Sequence, residues 1–274
     1  MKSFKNKKIV ITGAGSGLGR ALAVRFSREG AALALTDISE HGLAQTRSLL
    51  DDRVASVYTA CLDVSDREAV YRFAEEAQRE LGGVDIVINN AGVALSETVE
   101  DTTYEDFEWV MDINFWGVVY GTKAFLPYLK QSEEAYIINI SSIFGLIGVP
   151  TQAAYNASKF AVRGFTEALR QELAGTSVTP ICVHPGGLKT NIAGSARFYK
   201  GMDGTTDRES AMAHFEHHAR TTPENAAKTI IEGIRQGDKR VLIGYDARLI
   251  DLVQRLLPVK YDGIMKRLIG QRLL

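Results

Sequence analysis

The sequence predicts an α/β fold of the doubly wound, Rossmann type, a parallel sheet of about seven strands with helices on both faces. Three observations predict it. Short β-branched runs alternate with longer segments whose apolar residues recur at helical spacing. A glycine-rich turn, Thr12-Gly13-Ala14-Gly15-Ser16-Gly17-Leu18-Gly19, joins the first run to the first helical segment. An acid, Asp37, stands at the end of the second run.

Residues 8–11 read as a strand, and 18–29 as a helix closed by Gly30. The unit repeats as strand 32–36 with helix 42–50, then strand 54–61 with helix 66–81. Further strands at 86–88, 136–140, 179–183 and 240–243 are each bounded by Gly, Pro, Asn or Asp. Long helical stretches at 104–130 and 153–172 suit the crossovers of a parallel sheet. Thr222-Pro223 offers a capping hydroxyl followed by proline at the first helical position. Residues 186–221 are too long for an ordinary connection and are expected to form a substrate lid. The organisation predicted is one catalytic domain over 1–245, lid included, with a C-terminal helical extension over 246–274.

With 274 residues and 45% hydrophobic content, the chain can bury a full core. Its 32 basic and 33 acidic residues give a formal charge of −1, so no overall field draws it to nucleic acid. Cys61 and Cys182 lie in apolar, strand-like runs without zinc or disulfide spacing and are expected to be buried free thiols. The basic start at 1–8 precedes only three apolar residues, and no run approaches the roughly 20 needed to span a bilayer. A cytoplasmic protein is expected.

Glycines after a first strand let the backbone approach a pyrophosphate seated on the following helix N-terminus. Asp37, about 20 residues on, is placed to bind the ribose hydroxyls of NAD and to repel a 2′-phosphate. Neither Ser16 nor Ile38 supplies a cation for NADP, so NAD is the expected cofactor. Tyr155 and Lys159 are four apart and share a helix face. An ammonium beside a phenol lowers its pKa and lets the pair pass a proton to or from a substrate oxygen.

The glycine turn at 12–19, Asp63-Val64, Asn89-Asn90-Ala91-Gly92 and Tyr155-x-x-x-Lys159 together resemble the short-chain dehydrogenase/reductase family over about residues 6–245. The resemblance implies that Gly13, Ser16, Gly17, Leu18 and Gly19 cradle the cofactor, and that Asp63 and Val64 hold its adenine. It implies that Asn90, Ala91 and Gly92 run along the cofactor, and that Pro185, Gly186, Leu188 and Thr190 receive the nicotinamide carboxamide. Ser142, rather than Ser141, then polarises the substrate carbonyl, and Asn114 holds a water that extends the proton relay. The catalytic set is Asn114, Ser142, Tyr155 and Lys159, with Tyr155 and Lys159 also touching the cofactor and no metal required.

The loops around that set carry almost no charge. Phe144, Val149 and Ile192, with Ser142 and Tyr155, are expected to meet an apolar alcohol or ketone, aliphatic, cyclic or steroid-like. Reduction of 3-oxoacyl thioesters and non-catalytic cofactor binding are the alternatives. His214, His217 and His218 share a helical face that a solvated lid helix explains better than a metal. The extension, apolar with a basic complement, suits packing on another subunit, cover over the active-site mouth, or a membrane surface. A homo-oligomer, dimer or tetramer, is expected.

Overall fold

The computed structural model describes residues 1–202 and 204–263, leaving aside the side chains of 214–218. The chain runs β1 (Lys8–Thr12), α1 (Gly17–Arg28), β2 (Ala32–Asp37), α2 (Glu40–Ser48), β3 (Ser56–Cys61), α3 (Arg67–Leu81), β4 (Ile86–Asn89) and β5 (Leu95–Ser96). It continues through α4 (Tyr104–Met111), a π-turn (Asp112–Trp116), α5 (Gly117–Leu129), β6 (Ala135–Ile140), a 3-10 turn (Ile143–Gly145) and α6 (Ala153–Glu172). The remainder is β7 (Val178–Pro185), β8 (Arg197–Phe198), α7 (Arg208–His218), α8 (Pro223–Gln236), β9 (Arg240–Ile243) and α9 (Tyr245–Leu256).

Seven strands form one parallel sheet in the order β3-β2-β1-β4-β6-β7-β9, the doubly wound arrangement expected. Alternate residues of each central strand feed opposite faces. Ile9, Ile11, Ile86 and Ile88 pack under α1 and α8 against Leu22, Phe26, Ile230 and Ile234. Val10, Val87 and Ile137 pack on the other face against Phe73, Phe125 and Leu169 of α3, α5 and α6. Burial on both faces is why these strands read as unbroken apolar runs.

Two expectations change. Cys61 is exposed, because β3 is an edge strand, and its thiol donates to the Ile38 carbonyl at 3.3 Å; Cys182, on interior β7, is buried. The single helix expected over 104–130 is divided by the π-turn, where Gly117 N–H bonds back to the Asp112 carbonyl. The extra residue per turn re-aims the side chains between α4 and α5 and turns Asn114 fully inward.

At the carboxyl ends of the central strands the core becomes polar. Asn89 and Asn139 are register partners on β4 and β6, joined by a 2.8 Å hydrogen bond and tied to Thr122 and Thr166 at 3.2 and 3.0 Å. Gly121 presses on the Asn89 side-chain oxygen, which a Cβ would strike. Gly121→Ala is therefore expected to destabilise the protein by about 1–3 kcal/mol, read as a lower urea midpoint at unchanged m.

Candidate active site

The turn after β1 is built for close backbone approach. Gly13 and Gly17 have φ of 65° and 49°, in the left-handed region. A Cβ on Gly19 would strike the Gly13 carbonyl, and one on Gly15 would lie 2.7 Å from the Asp37 carboxyl carbon. Asp37 accepts from Gly15 N–H at 2.8 Å and from Ser39 N–H at 2.9 Å, which leaves each oxygen a lone pair for another donor. Exposed Ser16 opens α1 with no side-chain cap, whereas α2, α3, α4 and α8 are capped by Ser39, Asp66, Thr103 and Thr222. Uncapped N–H groups behind a bare-backbone turn, with a carboxylate alongside, fit the pyrophosphate and ribose of a dinucleotide.

Neighbouring segments close around this cradle. Thr12 Oγ1 accepts from Asn90 and Ala91 N–H, both at 3.0 Å, while the Asn90 amide donates to the Thr12 and Gly13 carbonyls at 2.9 and 3.1 Å. The Thr190 side chain faces Gly17, 3.3 Å from where a Cβ would stand, so the segment after β7 reaches across to the glycine turn. Leu18, Val64 and Leu188 are buried, Val64 against Gly117. Exposed Asp63 is engaged by the Ser65 N–H and hydroxyl at 2.9 and 2.7 Å.

The side chains expected to react meet beyond the ends of β4 and β6. Lys159 is buried; its Nζ donates to the Ile140 carbonyl at 3.1 Å and lies 5.6 Å from the centroid of the half-buried Tyr155 ring. Asn114 grips the Val93 backbone in both directions, at 2.8 and 2.9 Å, and donates to Ser158 at 3.2 Å. Gly92 lies between Asn114 and Lys159: a Cβ there would be 3.0 Å from Asn114 Oδ1 and 3.4 Å from Lys159 Nζ. Ser141 and Ser142 diverge. Ser141 is buried and donates to the Lys159 carbonyl at 2.8 Å, whereas the Ser142 hydroxyl accepts from Phe144 N–H at 3.1 Å and acts to lower the pKa of Tyr155.

Electrostatics correct one expectation. The ammonium does not bring the phenol down: burial pushes Tyr155 up to about 12, against the lowering effect of Ser142. Burial likewise brings Lys159 down to about 8. The chain by itself thus holds Tyr155 as a phenol, the form that donates a proton.

An apolar wall adjoins these groups. The Phe144 ring meets Tyr155 edge-on at 5.9 Å, and Val149 clusters with Ile143, Ile147, Ile250 and Tyr261. Ile192 is half-buried on the segment after β7 and stands apart from that cluster. Ile250 and Tyr261 belong to the C-terminal extension, whose described part packs on the 143–149 turn, with the Tyr261 hydroxyl accepting from Gly148 N–H at 3.1 Å. Among the described residues no helix is long and apolar enough to cross a membrane. The side chains of His214, His217 and His218, and residues 264–274, lie outside the described residues.

The short-chain dehydrogenase model matches residues 7–199. The chain belongs to the short-chain dehydrogenase/reductase family. It is 47% identical over 267 residues to the oxidoreductase SadH of Mycobacterium tuberculosis, covering 97% of this chain and 96% of that protein. It is 31% identical over 272 residues to estradiol 17-beta-dehydrogenase 11 of Macaca fascicularis, covering 98% of this chain and 85% of the relative. A short-chain dehydrogenase/reductase from Burkholderia phymatum, solved in complex with NAD, superposes with a TM-score of 0.85 at 30% identity over 93% of this chain and 95% of its own.

Within this oxidoreductase, sequence reasoning missed several residues that hold the site. Asn156 donates to the Phe144 and Ile147 carbonyls, both at 2.8 Å, and accepts from Val149 N–H at 3.1 Å, so it ties three points of the apolar turn to α6. An asparagine inside a helix, where it is a mediocre former, is the signal that could have found it. Asp246 accepts from Gly187 N–H at 2.8 Å and packs against Gly186. Arg197 pins the first half of the 186–221 segment, 2.6 Å from Asp106 and stacked 3.8 Å over Trp109. Arg20 is a cation beside the glycine turn, held by the Gly15 carbonyl and, at 3.0 Å each, by Thr46 and Gln45.

Burying Lys159 costs stability wherever it is charged. Its folded pKa is depressed from 10.5 to about 8, so the cost is full below pH 8, shrinks between 8 and 10.5, and is absent above. Lys159→Met is expected to raise unfolding free energy by up to about 3 kcal/mol at pH 7, with the advantage fading towards pH 10.5 in urea titrations. Activity is expected to be lost at every pH.

Proposed function

We propose that this protein interconverts an apolar secondary alcohol and its ketone with NAD as redox partner. The observation that carries the reading is the Tyr155 ring set between buried Lys159, 5.6 Å from its centroid, and the uncharged turn of Phe144 and Val149, with Ser142 acting on its phenol. When bound, the dinucleotide supplies the hydride for reduction and takes it up in oxidation. Gly13 to Gly19, Asp37, Asn90 to Gly92 and Pro185 to Thr190 would hold it.

In reduction, the Ser142 hydroxyl orients the carbonyl and the Tyr155 phenol delivers its proton to the oxygen, leaving phenolate. Lys159 then returns a proton to that phenolate, with Asn114 holding the segment that carries Gly92 beside it. In oxidation the same groups act in reverse. An uncharged wall favours a substrate without phosphate or carboxylate near the reacting carbon. That the estradiol dehydrogenase relative is named for a steroid supports a cyclic or steroid-like alcohol.

The test is an absorbance assay with NADH and NADPH against cyclohexanone, 2-octanone, estrone and an acetoacetyl thioester. Turnover of the simple ketones with NADH is expected, and Tyr155→Phe should lower it by about 100-fold or more while NADH still binds. A Tyr155→Phe variant as active as the parent refutes the assignment. Asp37→Ala should narrow the preference for NADH over NADPH; faster turnover of the parent with NADPH refutes the role of Asp37.

A further inference from the structure

Among the buried ionisable groups outside the machinery so far, one touches Ser142. His184, on β7, has no exposed surface, and its Nδ1 lies 3.1 Å from the Ser142 carbonyl oxygen. A carbonyl oxygen only accepts, so Nδ1 carries the proton and Nε2 is a bare acceptor. That Nε2 is buried without a partner among the described residues. Burial holds the ring neutral, with its pKa down at about 4; Arg240 and Arg163 act in the same direction, and Asp251 and the Ser142 carbonyl oppose them.

Ser142 has two other tethers. Its carbonyl also accepts from Gly145 N–H at 3.0 Å, and its hydroxyl from Phe144 N–H at 3.1 Å. Both donors sit in the same 3-10 turn as Ser142 and move with it. The His184 bond is different in kind, because its donor is fixed in an interior strand paired on both sides, with β6 and β9. An apolar side chain would fill the same space without leaving a nitrogen unpaired, so packing alone gives no reason for imidazole here.

We propose that His184 is a positioning residue, anchoring the peptide plane that follows Ser142 to β7 and so aiming the Ser142 hydroxyl at Tyr155 and the substrate oxygen. The inference rests on the role given to Ser142 under the proposed function. A small rotation of that plane would move the hydroxyl out of line while leaving the cofactor cradle untouched.

The experiment compares parent, His184→Leu, His184→Asn, Ser142→Ala and the double variant His184→Leu/Ser142→Ala by single-turnover reduction of the fastest ketone above with saturating NADH. His184→Leu should slow the step about tenfold, with unchanged NADH affinity and an unfolding midpoint equal to or above the parent. His184→Asn, whose amide offers an N–H where Nδ1 stood, should recover to within about threefold of the parent. In the Ser142→Ala background His184→Leu should cause no further loss, because the hydroxyl it aims is already gone. A parent-like rate in His184→Leu, or the same fold-loss with and without Ser142, overturns the proposal. If His184→Leu does not fold, His184→Gln, whose amide reaches past the carbonyl, takes its place with the same expectation. A parent-like rate in Ser142→Ala defeats the functional reading itself, whereas an inactive Ser142→Ala with independent His184 losses defeats only this inference.

Discussion

The clasp between β1 and β4 is the constraint on which the site depends. These strands pair from Ile9 with Ile86 to Ile11 with Ile88, and beyond that register the chain must turn away in both directions. Thr12 and Asn90 satisfy the backbone groups that the turning strands release, each serving the other's main chain. The strand order reverses at this junction, with β2 continuing on one side and β6 on the other, so a crevice opens there by topology. One lip is the glycine turn, and the other leads through Gly92 to Asn114 and Lys159. Loosening the clasp would uncouple the glycine turn from the side of the crevice that holds Asn114 and Lys159.

Much of this was legible in the sequence, and the limits of legibility have physical reasons. Strands buried on both faces announce themselves as apolar runs, and glycines forced by steric contact or left-handed φ stand out in a turn. Tyr155 and Lys159 were found because a helix face depends only on local spacing. The π-turn at Asp112–Trp116 was not, because a single added residue leaves apolar periodicity nearly intact while changing where Asn114 points. Cys61 was misjudged because an edge strand and an interior one can share composition. Asp246, Arg197 and His184 act through partners 59, 91 and 42 residues away, and no local pattern encodes such distances.

The site is also where the molecule departs from its own stability rules. Most of its interior is aliphatic and aromatic; here it holds a lysine brought down to about 8, a tyrosine pushed up to about 12 and a histidine brought down to about 4. Each is unfavourable as packing, a departure commonly found where function is located. The buried asparagine and threonine network beneath them stiffens the strand ends that carry this burden.

The seating of Ile250 and Tyr261 on the turn that follows Ser142 bears on how the protein is made. Every described strand of the sheet precedes residue 244, so the Rossmann core can consolidate while the chain is still emerging from the ribosome. The apolar wall beside Tyr155 cannot be completed then. Its last described supports come from residues 250 and 261, which are synthesised after the strands of the core.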